Sequence, residues 1–207
     1  MLVCTIAAEA GTDGELAART VAARSGAELF DRPALISLAR ELNPEIGDLK
    51  DIEERVGSRL AAFAMGLAIT GSPEALRELE LKKTIACLGR EVLHEAAKQP
   101  AVILAPGAFM ALRDHPCAVH VRLRAPLEWR IDAYRRLQLV DRRQAERMIK
   151  HEDHLRRAWV KALYHVDADD PTNFSLVVDA SRISPDRVAA AVLATAGVDV
   201  PLAHGAA

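Results

Sequence analysis

The chain is poor in aromatic residues, which make up only 4% of its 207 positions. Its interior must therefore be packed by Leu, Ala, Val and Ile within an apolar share of 50%, a composition suited to helices laid on a sheet. Cysteine is scarce as well. Cys4, Cys87 and Cys117 are odd in number and widely spaced, which supports neither a disulfide framework nor a zinc site and fits a reducing, cytoplasmic setting. Charge of one sign does not dominate: the net charge is −2, so the overall field gives no reason to invoke nucleic acid or a membrane as partner. Long hydrophobic runs are missing too. The stretch from Leu60 to Ile69 is too short to span a bilayer, and Leu2 to Ala8 lacks the basic flank and length of a secretory leader.

The charge that is present is uneven. Between Arg122 and Lys161 twelve basic residues stand against six acidic ones, and an anionic ligand is expected to be drawn to that stretch. The length suits one domain, 1–207, with no polar linker to divide it.

Hydrophobic patterning alternates strand with helix. Leu2 to Ile6 reads as a strand, Gly11-Thr-Asp-Gly14 as a glycine turn, and the residues after it as a helix. Ala27 to Phe30 is a second short strand, ending at Asp31-Arg-Pro33, where Pro33 suits the first turn of a helix. Apolar spacing predicts helices over Ile52–Leu67 and Pro73–Ala97. The continuous runs Ala101–Leu104 and Ala118–Leu123 read as buried parallel strands with a short helix between them. Helices follow from Pro126 to about Gln138 and from Asp141 to about Tyr164, then a strand at Leu176–Val178 and a helix starting at Ser184-Pro185. The expected fold class is α/β, a three-layer parallel sheet with helices on both faces and its ligand beyond the carboxyl ends of the strands.

Glycines after a first strand let the backbone turn tightly, and the amides opening the next helix can bind phosphate oxygens. Gly11, Thr12, Asp13 and Gly14 hold that place and are the candidate phosphate-binding residues. A Walker A turn would end in Gly-Lys-Ser/Thr, the lysine offsetting phosphate charge and the hydroxyl holding magnesium. Here the chain reads Gly14-Glu15-Leu16. Acids at Asp13 and Glu15 would repel a polyphosphate by ~1 kcal/mol or more per unit charge, unless both point away or hold a metal.

Several segments together resemble the cytidylate kinase-like family of P-loop nucleoside monophosphate kinases, over nearly the whole chain. They are Ile6-Ala-Ala-Glu-Ala-Gly-Thr-Asp-Gly14, Leu29-Phe-Asp-Arg32, Val102 to Ala108, His120 to Ile131, Asp153-His-Leu-Arg156 leading to Tyr164-His-Val-Asp167, and Phe174 to Ser184. The resemblance implies a P-loop kinase-like domain with a helical substrate-side region at about 33–98 and an arginine-rich lid at about 130–165. It implies substrate-binding roles for Asp31, Arg32, Gly107 and Asp153, and catalytic roles for Arg130, Arg135, Arg136 and Arg156. Planar guanidinium forks suit such roles, since they bind two phosphate oxygens at once and stay charged. The same helices also carry acid–base pairs four residues apart, Asp132 with Arg136, Glu146 with Lys150, Glu152 with Arg156 and Asp153 with Arg157, the pattern of a solvated face.

The implied activity is transfer of the γ-phosphoryl of ATP, with Mg2+, to a CMP-like nucleoside monophosphate or a related small acceptor. The implied partner is thus a small-molecule nucleotide, bound by a monomer or homodimer. Two departures point to a descendant that kept the fold as a nucleotide-binding or protein-interaction module. Glu15 stands where the family usually has a basic or small residue, and Ala105-Pro106-Gly107 replaces a Gly-Arg-Gly turn whose arginine grips the acceptor phosphate. None of the seven histidines falls in a triad or an HExxH spacing, and Trp129 and Trp159 read as packing residues.

Overall fold

A computed structural model of the chain describes residues 1–42 and 89–198. Strand β1 (Val3–Ala8) leads through the glycine turn to α1 (Gly14–Ser25), then to β2 (Glu28–Phe30) and α2 (Arg32–Leu42). After the helical residues 89–96 come β3 (Ala101–Leu104), α3 (Ala108–Ala111), β4 (Ala118–Arg124), α4 (Leu127–Gln138), α5 (Arg142–Tyr164), β5 (Leu176–Asp179) and α6 (Pro185–Thr195). The predicted helix at Ile52–Leu67 lies outside the described residues, as do most of the one at Pro73–Ala97 and much of the region at about 33–98. Among the described residues no helix is long and apolar enough to cross a membrane.

The five strands form one parallel sheet in the order β2-β3-β1-β4-β5. Because β1 feeds β2 on one side while β3 feeds β4 on the other, the chain reverses direction across β1. The crevice beyond the carboxyl end of β1 is therefore the place where such a sheet binds its ligand.

Alternation along the strands divides the core. Cys4, Ile6, Val121 and Leu123 face α1 and α6, where they meet Ala18, Val21, Ala189 and Val192. Burial there pushes the Cys4 thiol up to about 12, so it behaves as a small hydrophobe. On the other face Val3, Ala101 and Ile103 pack with Phe30, Leu93, Ala96 and Leu112. Ala7 continues that face toward the carboxyl edge and joins Phe109 and Val160. Helices α4 and α5 have their own apolar seam, Ile131 and Tyr134 against Ala145 and Ile149.

That second face also carries polar groups, which the apolar reading of Ala118–Leu123 overlooked. Thr5, His120 and Arg122 are all buried. Thr5 Oγ1 lies 2.8 Å from His120 Nδ1, a satisfied pair across β1 and β4. Burial first, then neighbouring His115, lowers His120 below its ordinary value, against a smaller opposing effect of the Leu112 carbonyl.

Candidate anion site at the carboxyl edge of the sheet

The turn from β1 into α1 is shaped by helices from the other half of the chain. Gly11 sits at φ +82, and a Cβ there would come 2.7 Å from the Arg130 carbonyl oxygen, so only glycine allows α4 to pack this close. The Ala10 amide donates to Asp153 Oδ1 at 3.1 Å, and the Ala10 carbonyl accepts from Arg130 Nη1 at 3.1 Å. Helices α4 and α5 thus fasten the two peptide groups on either side of Ala10.

The acids of the turn have local roles. Asp13 adopts a left-handed conformation and caps α1 by accepting from the Leu16 amide at 3.4 Å. Glu15 is exposed and turned back along the helix to Arg19, 2.6 Å away. Thr12 is buried and its hydroxyl donates to the Glu9 carbonyl at 2.6 Å. As a seat for ATP with Mg2+ the turn offers the orphan amides of the first helical turn, but it has no cation and its hydroxyl is already committed. Among the described residues no cluster of His, Cys, Asp and Glu is arranged to hold a metal ion. The donor set does not fit a magnesium triphosphate held in the usual P-loop manner.

Beside the turn lies a network of four arginines and three carboxylates. Arg122 points from β4 under the turn, with its side chain 3% exposed. It donates to the Ala7 carbonyl at 3.2 Å, to Glu9 Oε1 at 3.2 Å and to Asp169 Oδ1 at 2.6 Å. Glu9 also accepts from the Ala125 amide at 3.2 Å and lies 3.5 Å from Arg130 Nε. Arg130 donates to Asp153 Oδ2 at 2.6 Å and to the Ala125 carbonyl at 3.1 Å. Asp169 further accepts from Arg156 at 3.1 Å and Arg157 at 3.5 Å. Burial lowers Arg122 from its ordinary value, as does nearby Arg156, while Asp169, Glu9 and Asp153 act the other way. Burial alone would raise Asp169, but Arg156 and Arg122 outweigh it and hold the carboxyl below the usual range.

Arg156 is the unfinished member. Its side chain is 10% exposed, and its Nε and Nη2 are buried with no hydrogen-bond partner. The nearest acid to Nη2, Asp153, stands off at 3.6 Å. Buried guanidinium donors are rarely left so, and a missing bound anion or water is the usual explanation.

The structure thus brings Arg130, Asp153 and Arg156 together beside Gly11, Thr12, Asp13 and Gly14. Arg130 and Asp153 are buried bolts on the turn. Arg135 and Arg136, five and six residues further, lie ~8 Å along the helix from Arg130. They are exposed, and with Asp132, Leu139 and Val140 they border an open recess of about 360 Å³. Asp31 caps α2 by accepting from the Ala34 amide at 3.2 Å, and exposed Arg32 opens that helix. Gly107, at φ +80, is packed under Tyr164, whose Cε2 would lie 2.8 Å from an added Cβ.

The solvated-face pattern holds for Glu146 with Lys150, 2.6 Å apart, but not for the acids nearest the network. Asp153 is buried and pairs with Arg130, while exposed Glu152 reaches across to α4 and accepts from the Tyr134 hydroxyl at 2.5 Å. Sequence reasoning gave no role to Glu9, Arg122 or Asp169. An arginine at an inward position of a buried parallel strand was the available signal, since it requires a carboxylate partner.

The cytidylate kinase-like family model matches residues 3–182. An uncharacterised protein from Eubacterium ventriosum is similar in structure, at 16% identity and TM-score 0.67, over 93% of this chain and 98% of that one. A Thermus thermophilus protein aligns at 21% identity and TM-score 0.50, over 93% of this chain and 96% of that one. A shikimate kinase from Bacteroides thetaiotaomicron aligns at 14% identity and TM-score 0.49, over 95% and 94% of the two chains. No curated protein matches the chain.

Proposed function

This chain belongs to the cytidylate kinase-like family, and we propose that it binds a nucleoside monophosphate, CMP-like, through its phosphate group at the arginine network. The observation that carries this reading is Arg156, whose Nε and Nη2 are buried without acceptors at the carboxyl edge of the sheet. A phosphate monoester supplies two oxygens at the spacing of that fork, which a point-like anion does less well. The lost arginine of the Ala105-Pro106-Gly107 turn is compensated by this second anchor. Asp31 and Arg32, after β2, remain candidates for the nucleoside end.

The donor half of a phosphotransfer site is depleted. Without a lysine at Glu15, and with Thr12 committed to Glu9, the turn has little to offset a triphosphate. The protein is accordingly a nucleotide-binding member in which transfer from ATP with Mg2+ is weak or lost. A phosphotransferase reading is favoured by one observation, the release of the loop acids from the phosphate path: Glu15 is paired with Arg19.

Calorimetric titration with CMP, UMP and AMP, run beside a coupled ADP-release assay, tests both readings. Binding of a monophosphate with ADP release at the ATP-only background is the expected result. Turnover well above that background would establish the phosphotransferase, and absence of binding by all three nucleotides would overturn the nucleotide reading.

A further inference from the structure

We propose that Asp169 is an internal counter-ion of the arginine cradle, bound to Arg156 Nη1 beside the open edge formed by Nε and Nη2, that a phosphate taking that edge competes with it for the same guanidinium charge and releases it, and that it thereby sets the charge of anion the site accepts. The inference rests on the reading of the cradle as a phosphate site and adds its means of selection. Asp169 holds three guanidinium groups at once: Arg122 at 2.6 Å, Arg156 at 3.1 Å and Arg157 at 3.5 Å. A small anion ringed by arginines is how proteins bind phosphate, and here the anion comes from the chain itself.

Its mounting suits a removable plug. Asp169 stands on a turn after α5 that is built by other bonds. Its own amide donates to Asp167 Oδ1 at 2.9 Å, the Asn173 side chain donates to the Asp167 carbonyl at 3.2 Å, and Asp170 caps the following turn through the Thr172 amide at 2.9 Å. None of these uses the Asp169 carboxylate. Rotation of one side chain that is already 35% exposed would leave the turn intact and free Arg156 Nη1 and Arg122 Nη2 beside the open edge of Arg156. Arg122 would not be stranded, because Glu9 Oε1 and the Ala7 carbonyl remain bound to it.

Charge then decides which ligands succeed. Arg122, Arg130, Arg156 and Arg157 face Glu9, Asp153 and Asp169, leaving an excess of one positive charge. With Asp169 displaced the excess is two, which matches a phosphate monoester dianion. A monoanion merely replaces like with like and gains little. A site whose open form is a fraction of the population binds with an affinity reduced by that fraction, so the plug weakens every anion while favouring the dianion.

The test is calorimetric titration of the full chain with inorganic phosphate and with CMP, comparing wild type, Asp169→Asn, Asp169→Glu and Arg156→Gln. Asp169→Asn keeps the shape and removes the charge. The proposal expects it to bind both probes about tenfold tighter or more, Asp169→Glu to stay near wild type, and Arg156→Gln to lose binding. A gain in affinity is opposite in sign to the effect of structural damage. Equal or weaker binding by Asp169→Asn, with wild type still binding, would overturn the plug and leave the phosphate site standing. Failure of both wild type and Asp169→Asn to bind either probe would overturn the phosphate site and the plug with it. Should Asp169→Asn fail to fold, carboxyl carbon NMR of labelled wild type decides. Saturating phosphate is expected to move the Asp169 titration upward, toward an ordinary aspartate, and an unmoved titration in phosphate-bound protein would reject displacement.

Discussion

At the scale of single residues, the site depends on atoms that have no substitute. Gly11 meets Arg130 where a Cβ would lie 2.7 Å from a carbonyl oxygen, at a φ of +82 that disfavours side chains. Gly11→Ala should therefore destabilise the fold by about 1–3 kcal/mol through backbone strain alone, read as a lower urea midpoint with an unchanged m-value. Arg156 bears on function instead. Two of its donors have no hydrogen-bond partner to lose, and the third shares Asp169 with Arg122 and Arg157, so Arg156→Gln is expected to lower stability by no more than about 1 kcal/mol while weakening CMP binding roughly tenfold or more, as loss of charged hydrogen bonds does. A large fall in stability with binding intact would reverse that division of roles.

Between elements, buried polar groups fasten the halves of the chain together. Asp153 on α5 bonds both Arg130 on α4 and the Ala10 amide of the β1–α1 turn. Removing it takes the nearest carboxylate from buried Arg130, which keeps the Ala125 and Ala10 carbonyls and Glu9 at 3.5 Å, and leaves the Ala10 amide without its acceptor, so Asp153→Ala should cost about 3 kcal/mol. The exposed pair of Arg135 with Asp132, at 3.6 Å, is the control: Asp132→Ala should change stability by no more than ~0.5 kcal/mol. Denaturant melts of the two variants check the contrast.

His120 on β4 makes stability depend on pH. Its native pKa is lowered by burial, so the unfolded chain takes up the proton first as pH falls. Its contribution is complete above the unfolded value of about 6.5 and is lost as pH drops below it toward the lower native value. Urea midpoints at pH 7.5 and pH 5 should differ, and by less in His120→Gln. An equal difference in both proteins would exclude His120 as the cause.

Among the described residues the strands and helices were legible in the sequence. Apolar runs such as Ala101–Leu104 and cap signals such as Ser184-Pro185 are local, and they coincide with β3 and the start of α6. Arg130, Asp153 and Arg156 were visible through the family resemblance. Asp169, Glu9 and Arg122 were not assigned, since their significance lies in contacts spanning 47 and 113 residues, which no window of sequence contains. Asp153 could not be told from a solvated acid for the same reason: its partner Arg130 is 23 residues away on another helix.

For the whole molecule, four of the twelve basic residues between Arg122 and Lys161, namely Arg122, Arg130, Arg156 and Arg157, meet at the crevice where the parallel sheet reverses direction, beside the turn opening α1. Fold and charge thus coincide at one edge, while the turn itself supplies no lysine for a triphosphate, since Glu15 follows Gly14 and is paired with Arg19. On the proposed reading, this edge holds the phosphate of a nucleoside monophosphate on Arg156. A crystal structure with CMP tests it most directly. Phosphate oxygens are expected within hydrogen-bond distance of both Nε and Nη2 of Arg156. Nucleotide bound at the sheet edge with its phosphate away from Arg156, or bound elsewhere on the protein, would contradict it.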